Sequence, residues 1–343
     1  MLSAATGTWP LWLALLAVLP AAGAIALLGT RLAKVTDRLA DRTGIGEAVA
    51  GAVILGATTS LAGLIVSIVA ASSGEPSLAV SNSLGGIAVQ TSFIAWIDLV
   101  HRGVNVEHAA ASLTNIFTAF LLALLLGLVV IGFATPEVAI LGVHPVSFVI
   151  AGAYLYGIVL SQRVTDRPMW RAVETEATAS SEPSAGNERA RLTPMLLRFA
   201  ILAAAVAAAG FVISRAGLSL MAETGLGGTV VGTLVTSVST SIPELVTAFA
   251  AVKAGAMTLA VGGIIGGNTF DVLFISAADG FYREGAVYGA LADVDVFTLG
   301  WSVLLTAILG AGLVSREQRG IGYEGVAILV VYVAGVIGVT LLG

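Results

Sequence analysis

Apolar stretches long enough to cross a bilayer recur along almost the whole chain. A spanning helix needs about 20 such residues, and ten segments reach that length, at roughly 9–30, 46–71, 77–100, 108–133, 138–161, 195–214, 227–252, 256–279, 294–314 and 321–342. Ala, Gly, Val and Leu dominate them, as close helix packing in lipid favours. Most are separated by short polar turns. The exception, residues 162–194, mixes charges with Ser, Ala and three prolines, and reads as a flexible cytoplasmic linker between two halves, 1–161 and 195–343. The pattern predicts an all-α membrane protein of ten transmembrane helices.

Lys and Arg orient it, because cytoplasmic loops carry the excess of both. Fourteen of the sixteen fall on one side: Arg31, Lys34, Arg38, Arg42, Arg102, Lys253, Arg316, Arg319 and six around the linker. Only Arg215 and Arg283 fall on the other. Both termini are therefore expected outside. The first segment lacks a positive leader, its first charge being Arg31, so it reads as a span and not as a signal peptide.

Composition narrows the class. The 343 residues are 57% hydrophobic and 11% charged, against about 25% charged in soluble domains. A multi-pass protein of a plasma membrane of prokaryotic type is expected, with the lipid bilayer as its surroundings. The absence of cysteine excludes disulfides, thiolate metal sites and cysteine nucleophiles. His101, His108 and His144 sit at span ends without metal-ligand spacing and read as satisfied or interfacial. No basic patch with interleaved aromatics suggests nucleic acid, and the sequence names no protein partner or cofactor.

Candidate chemistry concentrates between Thr233 and Asp279. One span holds Ser239-Thr240-Ser241-Ile242-Pro243-Glu244; the next holds Gly266-Gly267-Asn268-Thr269-Phe270-Asp271. Carboxylates at membrane depth are costly unless paired, solvated or bound to an ion. A proline frees a backbone carbonyl that can face a cation. The combination reads as a cation site near the midplane. The competing reading leaves the hydroxyls bonded back to their own helices, the glycines as packing contacts, and Asp98 and Asp279 as solvated caps. Glu47 and Glu75 read as interfacial charges.

The same pattern recurs in weaker form. A shift of 181 residues aligns Thr43–Asp98 with Thr224–Asp279 without a gap, and 18 of the 56 positions are identical. Among them are Thr59/Thr240, Ser60/Ser241, Gly85/Gly266, Gly86/Gly267, Phe93/Phe274 and Asp98/Asp279. Five spans separate the copies, so they cross the membrane in opposite directions. Inverted repeats with interrupted helices at matching positions build the midplane sites of many secondary transporters.

These residues resemble the calcium/cation antiporter superfamily, best known for sodium/calcium exchangers, whose two repeats each look like Gly-Thr-Ser-Leu-Pro-Glu followed by Gly-Ser-Asn-x-x-Asn or Asp. The second copy here is similar; the first is degenerate. The resemblance implies two inverted five-helix repeats, termini outside. It implies Glu244, Asp271, Thr240 and Ser241 as cation ligands from one half and Thr59 and Ser60 from the other, with Asn268 in the late motif and Gln90 at the first copy's late amide position. Gly63 replaces the first glutamate, Ala62 its proline, and Gly86 and Gly267 the motif serines.

Calcium wants 6–8 oxygens, several of them anionic, and only two carboxylates remain. The expected function is sodium- or proton-coupled calcium antiport by alternating access. The alternatives are a sodium/proton or other monovalent exchanger, and a transport-inactive cation-binding scaffold or sensor. An intramembrane hydrolase is disfavoured, since no Ser/His arrangement accompanies the acidic pair.

Overall fold

The computed structural model describes residues 8–43, 56–101, 105–136, 138–169, 192–315 and 321–343. Positions 46–55 of the second expected span, most of the linker, and Arg102, Arg316 and Arg319 lie outside the described residues. Within them every expected span carries helix. In chain order these are α1 (Leu11–Thr43), α2 (Gly56–Thr59), α3 (Leu61–Ser72), α4 (Pro76–His101), α5 (Val106–Ala109), α6 (Leu113–Ala134), α7 (Pro145–Asp166) and α8 (Leu192–Thr224). There follow α9 (Gly228–Thr240), α10 (Ile242–Lys253) and α11 (Met257–Phe281), then α12 (Asp293–Gly312) and α13 (Tyr323–Leu342). Among the described residues eight helices are long and apolar enough to cross a membrane, and the bent pair α9–α10 passes the same test together.

Burial sorts the layers. In α4 83% and in α11 67% of the most apolar stretch is buried, against 22% in α1, α8 and α13. The central pair is also less hydropathic, 1.4 and 1.5 against 2.8 in α6. Helices enclosed by protein can carry polar groups that lipid-facing ones cannot. The outer helices accordingly expose Trp12, Leu19, Phe120 and Leu341. Around the centre, α1 packs on α8, α6 on α7 and α12 on α13, while α3 lies between α4, α8 and the end of α11.

Two hairpins frame the centre with the same geometry. The turn from α3 to α4 places Gly74 at φ +80°, and the turn from α10 to α11 places Gly255 at φ +79°. Glu75 N donates to Ala70 O at 3.0 Å, and Ala256 N to Ala251 O at 2.9 Å. Both close a helix through a left-handed residue, where glycine carries no Cβ penalty. The far ends of α4 and α11 also match: Asp98 accepts from Val106 N at 2.9 Å and Asp279 from Val287 N at 2.8 Å.

These two aspartates correct the expectation of solvated caps. They do cap backbone N–H groups, but at 2% and 0% exposure, because Val106 and Val287 pack back against the helix ends through those bonds. His108 and His144 are likewise buried, and His144 N donates to Asp279 at 2.7 Å.

Candidate cation site between two helix breaks

Two interruptions face the central helices. Ser60 (φ −88°, ψ 7°) separates α2 from α3, and Ser241 (φ −90°, ψ 1°) separates α9 from α10, which bend by 45°. A π-helical turn at Gly232–Thr236 precedes the second break; such turns often mark functional sites. Pro243 occupies the first turn of α10, where a missing N–H removes no intrahelical bond. Glu244 shares that turn, and the free N–H groups and positive end of the helix dipole favour a carboxylate there.

Glu244 and Asp271 are 4% and 2% exposed. Ser60 Oγ donates to Glu244 Oε1 at 3.3 Å. From α4, Gln90 Nε2 donates to Asp271 Oδ2 at 2.7 Å and to Ser241 Oγ at 3.2 Å. Asn268 Nδ2 donates to Thr91 Oγ1 at 3.0 Å. A Cβ built on Gly86 stands 3.4 Å from Asp271 Oδ2 and 3.8 Å from Ser241 Oγ, and one on Gly267 stands 3.3 Å from Gln90 Oε1. Glycine at the motif-serine positions thus lets amide and carboxylate meet.

The remaining predicted hydroxyls reach carbonyls of their own helices, and Thr59 hydrogen-bonds Glu244 as well. Thr240 Oγ1 donates to Thr236 O at 3.0 Å, and Thr59 Oγ1 to Gly56 O at 3.2 Å. Their oxygens retain lone pairs for an electropositive neighbour. A cavity of about 270 Å³ has Glu244, Thr59, Gly266 and Gly267 on its wall, together with Lys34 and Leu259. It thereby runs from Glu244 to Lys34 in the second half of α1 and Leu259 at the start of α11.

The imbalance of donors and acceptors defines the chemistry. Glu244 Oε2, Asp271 Oδ1, Gln90 Oε1 and Asn268 Oδ1 are buried without a hydrogen-bond partner among the described residues. Leaving one such group unsatisfied costs about 1–3 kcal/mol, more when it is charged. Orphaned oxygen acceptors, two of them on carboxylates, are the kind of ligand a hard cation takes.

The first half contributes no carboxylate. A Cβ on Gly63 would lie 2.7 Å from Phe274 Cε2 and 3.5 Å from Thr240 Oγ1. The Phe274 ring meets Phe270 edge-on at 6.0 Å, and Phe270 meets Tyr154 at 5.9 Å. An aromatic group therefore fills the room a glutamate at position 63 would need.

Sequence reasoning passed over Asn82, Ser83 and Thr236. Asn82 Nδ2 donates to Gly63 O at 3.0 Å, and Asn82 Oδ1 accepts from Thr236 Oγ1 at 2.8 Å. Ser83 Oγ donates to Asp271 O at 2.6 Å. Their signal was the polar run Ser81-Asn82-Ser83 inside an apolar segment, which has no counterpart at the matching positions Gly262-Gly263-Ile264.

Buried helices broken beside unsatisfied buried oxygens define a multi-pass helical membrane protein with polar chemistry enclosed at its centre. Residues 12–161 and 194–341 match the family model described as sodium/calcium exchanger protein, and the chain belongs to that family of helical membrane transporters. The sodium/calcium exchanger MaX1 of Methanosarcina acetivorans is 30% identical over 111 residues, 32% of this chain and 30% of that relative's length.

Among solved structures, the H+/Ca2+ exchanger CAX superposes with a TM-score of 0.67 at 15% identity, covering 98% of this chain and 84% of that one. The sodium-calcium exchanger NCX_Mj, soaked with 10 mM Na+ and zero Ca2+, superposes with 0.61 at 16% identity, covering 96% and 99%. At these identities the likeness is one of fold.

Proposed function

We propose that the protein is a secondary cation antiporter exchanging calcium for sodium or protons by alternating access. Glu244 and Asp271 supply the charge; Ser60, Ser241, Thr59, Thr240, Gln90 and Asn268 supply neutral oxygens. The observation that carries the reading is the set of four buried acceptors without donors among the described residues, on Glu244 after the second helix break, Gln90 of α4, and Asn268 and Asp271 of α11. In the same reading the chain crosses a prokaryotic-type plasma membrane ten times, as two inverted five-helix repeats (1–161 and 195–343) joined by a cytoplasmic linker at 162–194, with both termini outside. It has no enzymatic role and needs no cofactor.

Obligatory exchange follows from charge. Two bare carboxylates in a low-dielectric interior cost several kcal/mol each, so the emptied site resists passing to the other side. One divalent ion, or two monovalent ions or protons, neutralises the pair and removes that penalty. Either load suits the same site, which is what coupling requires.

A second reading, exchange of monovalent cations alone, is favoured by the Phe274 ring beside Gly63, which leaves the first half without an anionic ligand. Flux in reconstituted vesicles separates the two. Calcium uptake driven by an outward sodium or proton gradient supports calcium exchange. Sodium/proton exchange unaffected by calcium supports the second reading, and no gradient-driven flux of any of these ions contradicts both.

A further inference from the structure

The far ends of α4 and α11 share one architecture and finish it with different chemistry. At the end of α11, Asp279 accepts from His144 N at 2.7 Å, Ser147 Oγ at 2.7 Å and Val287 N at 2.8 Å. Tyr288 follows, its hydroxyl 3.1 Å from Ser147 Oγ. One carboxyl group there meets three donors.

At the end of α4, Asp98 again accepts from a backbone N–H eight residues on, that of Val106. The next position, where the other end has Tyr288, is Glu107. The first turn of the packing helix, which at the other end offers Ser147, here offers Glu324. All three carboxylates are buried, at 2%, 0% and 0% exposure. Asn105 Nδ2 donates to Glu324 Oε1 at 2.7 Å, while Asn105 Oδ1 accepts from His108 N at 2.7 Å. Both oxygens of Glu107, and Oε2 of Glu324, have no partner among the described residues.

The two glutamates converge on the end of α12: a Cβ on Gly312 would stand 2.6 Å from Glu324 Cγ and 3.6 Å from Glu107 Cγ. The facing titratable groups are Asp98 from α4, His108 on α5 and Glu324 from α13. Among the described residues, the ends of α11 and α12 that meet α5 bring none.

We propose that Glu107 carries a proton held beside Asp98 and Glu324, and that its loss to an alkaline compartment loosens the seam between α4, α5 and α13, giving the protein a proton-binding site separate from the central cavity. A proton fits better than a metal, because among the described residues no group of three or more His, Cys, Asp or Glu is placed to hold one. As a neutral acid, Glu107 avoids adding a third charge to a low-dielectric cluster. Burial first, and then the charge of Asp98, push its carboxyl up to about 8. The seam bears on transport because α4 also carries Gln90. The proposal does not depend on which ions the cavity moves.

The sign is fixed by linkage. The folded protein holds a proton that the unfolded chain releases, so stability falls as pH rises from the ordinary value of 4.5 to about 8 and then levels. The test is infrared spectroscopy and thermal unfolding of the purified full chain, wild type against Glu107→Gln, across that range. The expected result is a component of the protonated-carboxyl carbonyl band that disappears through the upper limit in the wild type and is missing in the variant. With it, the alkaline fall in the unfolding midpoint should be reduced in Glu107→Gln. If that variant does not fold, Glu324→Gln should move the band's disappearance to lower pH, because one repelling charge has gone. A band and a midpoint profile identical in wild type and Glu107→Gln, or a band unmoved in Glu324→Gln, would overturn the proposal.

Discussion

The two halves of the chain enclose one cavity and bring different things to it. The second half brings Glu244 on a helix broken before it, with Asp271 on α11. The first half brings the matching break at Ser60, but Gly63 where the glutamate would be and Gln90 where the aspartate is. The difference is built in: Phe274 fills the space beside Gly63, and Gln90 donates to Asp271 itself. A half that has lost its charges has become the donor and packing partner of the half that kept them. Symmetry of backbone thus survives without symmetry of ligands.

The comparison breaks most sharply at Asp271. Asp271→Asn removes one of the two negative charges that a divalent cation would meet, and losing one partner of such a buried ion–carboxylate pair is worth about 2–5 kcal/mol. Cation-coupled flux in vesicles should fall on the order of 100-fold, and flux within twofold of wild type would refute a two-carboxylate site.

Next comes Gly63→Glu, which restores the missing charge where Phe274 stands. Overpacking and an unpaired buried carboxylate together should cost about 3 kcal/mol of stability, seen as a lowered unfolding midpoint. Adding Phe274→Ala should recover part of it. A stable single variant would show that the ring does not fix the asymmetry.

Gln90→Glu is milder, since it keeps shape and converts a donor into a second acceptor beside Asp271. Calcium should then bind about tenfold tighter, because a third carboxylate favours a divalent ion. Competition against sodium measures it, and a loss of calcium preference would run against the account. Asn82→Ala should have the smallest effect, about 1 kcal/mol of stability for the bonds to Gly63 O and Thr236, with ion selectivity unchanged.

Much of this was legible because membrane depth makes polar residues conspicuous. Glu244 and Asp271 stand out in hydrocarbon-length segments, and the spacing of 181 aligned the break at Ser60 with that at Ser241. Asn82, Thr236 and Ser83 were not read, since a neutral polar residue in a span is as readily a back-bonded hydroxyl or a packing contact. Burial of Asp98 and Asp279 was missed for another reason. A carboxylate near a span end looks solvated in one dimension, and only the packing of Val106 or Val287, presenting its N–H, encloses it. The matched pair Glu107/Tyr288 lies just past the aligned repeat, so its difference became visible only in three dimensions.

The central claim is that charge from the second half alone holds the cation. Calorimetric titration of calcium into the purified protein and into Glu244→Gln tests it most directly, because the substitution keeps shape and removes charge. The account predicts saturable binding in the wild type, weakened at least about 100-fold in a variant that unfolds at a similar temperature. Binding of equal affinity in both proteins would contradict it.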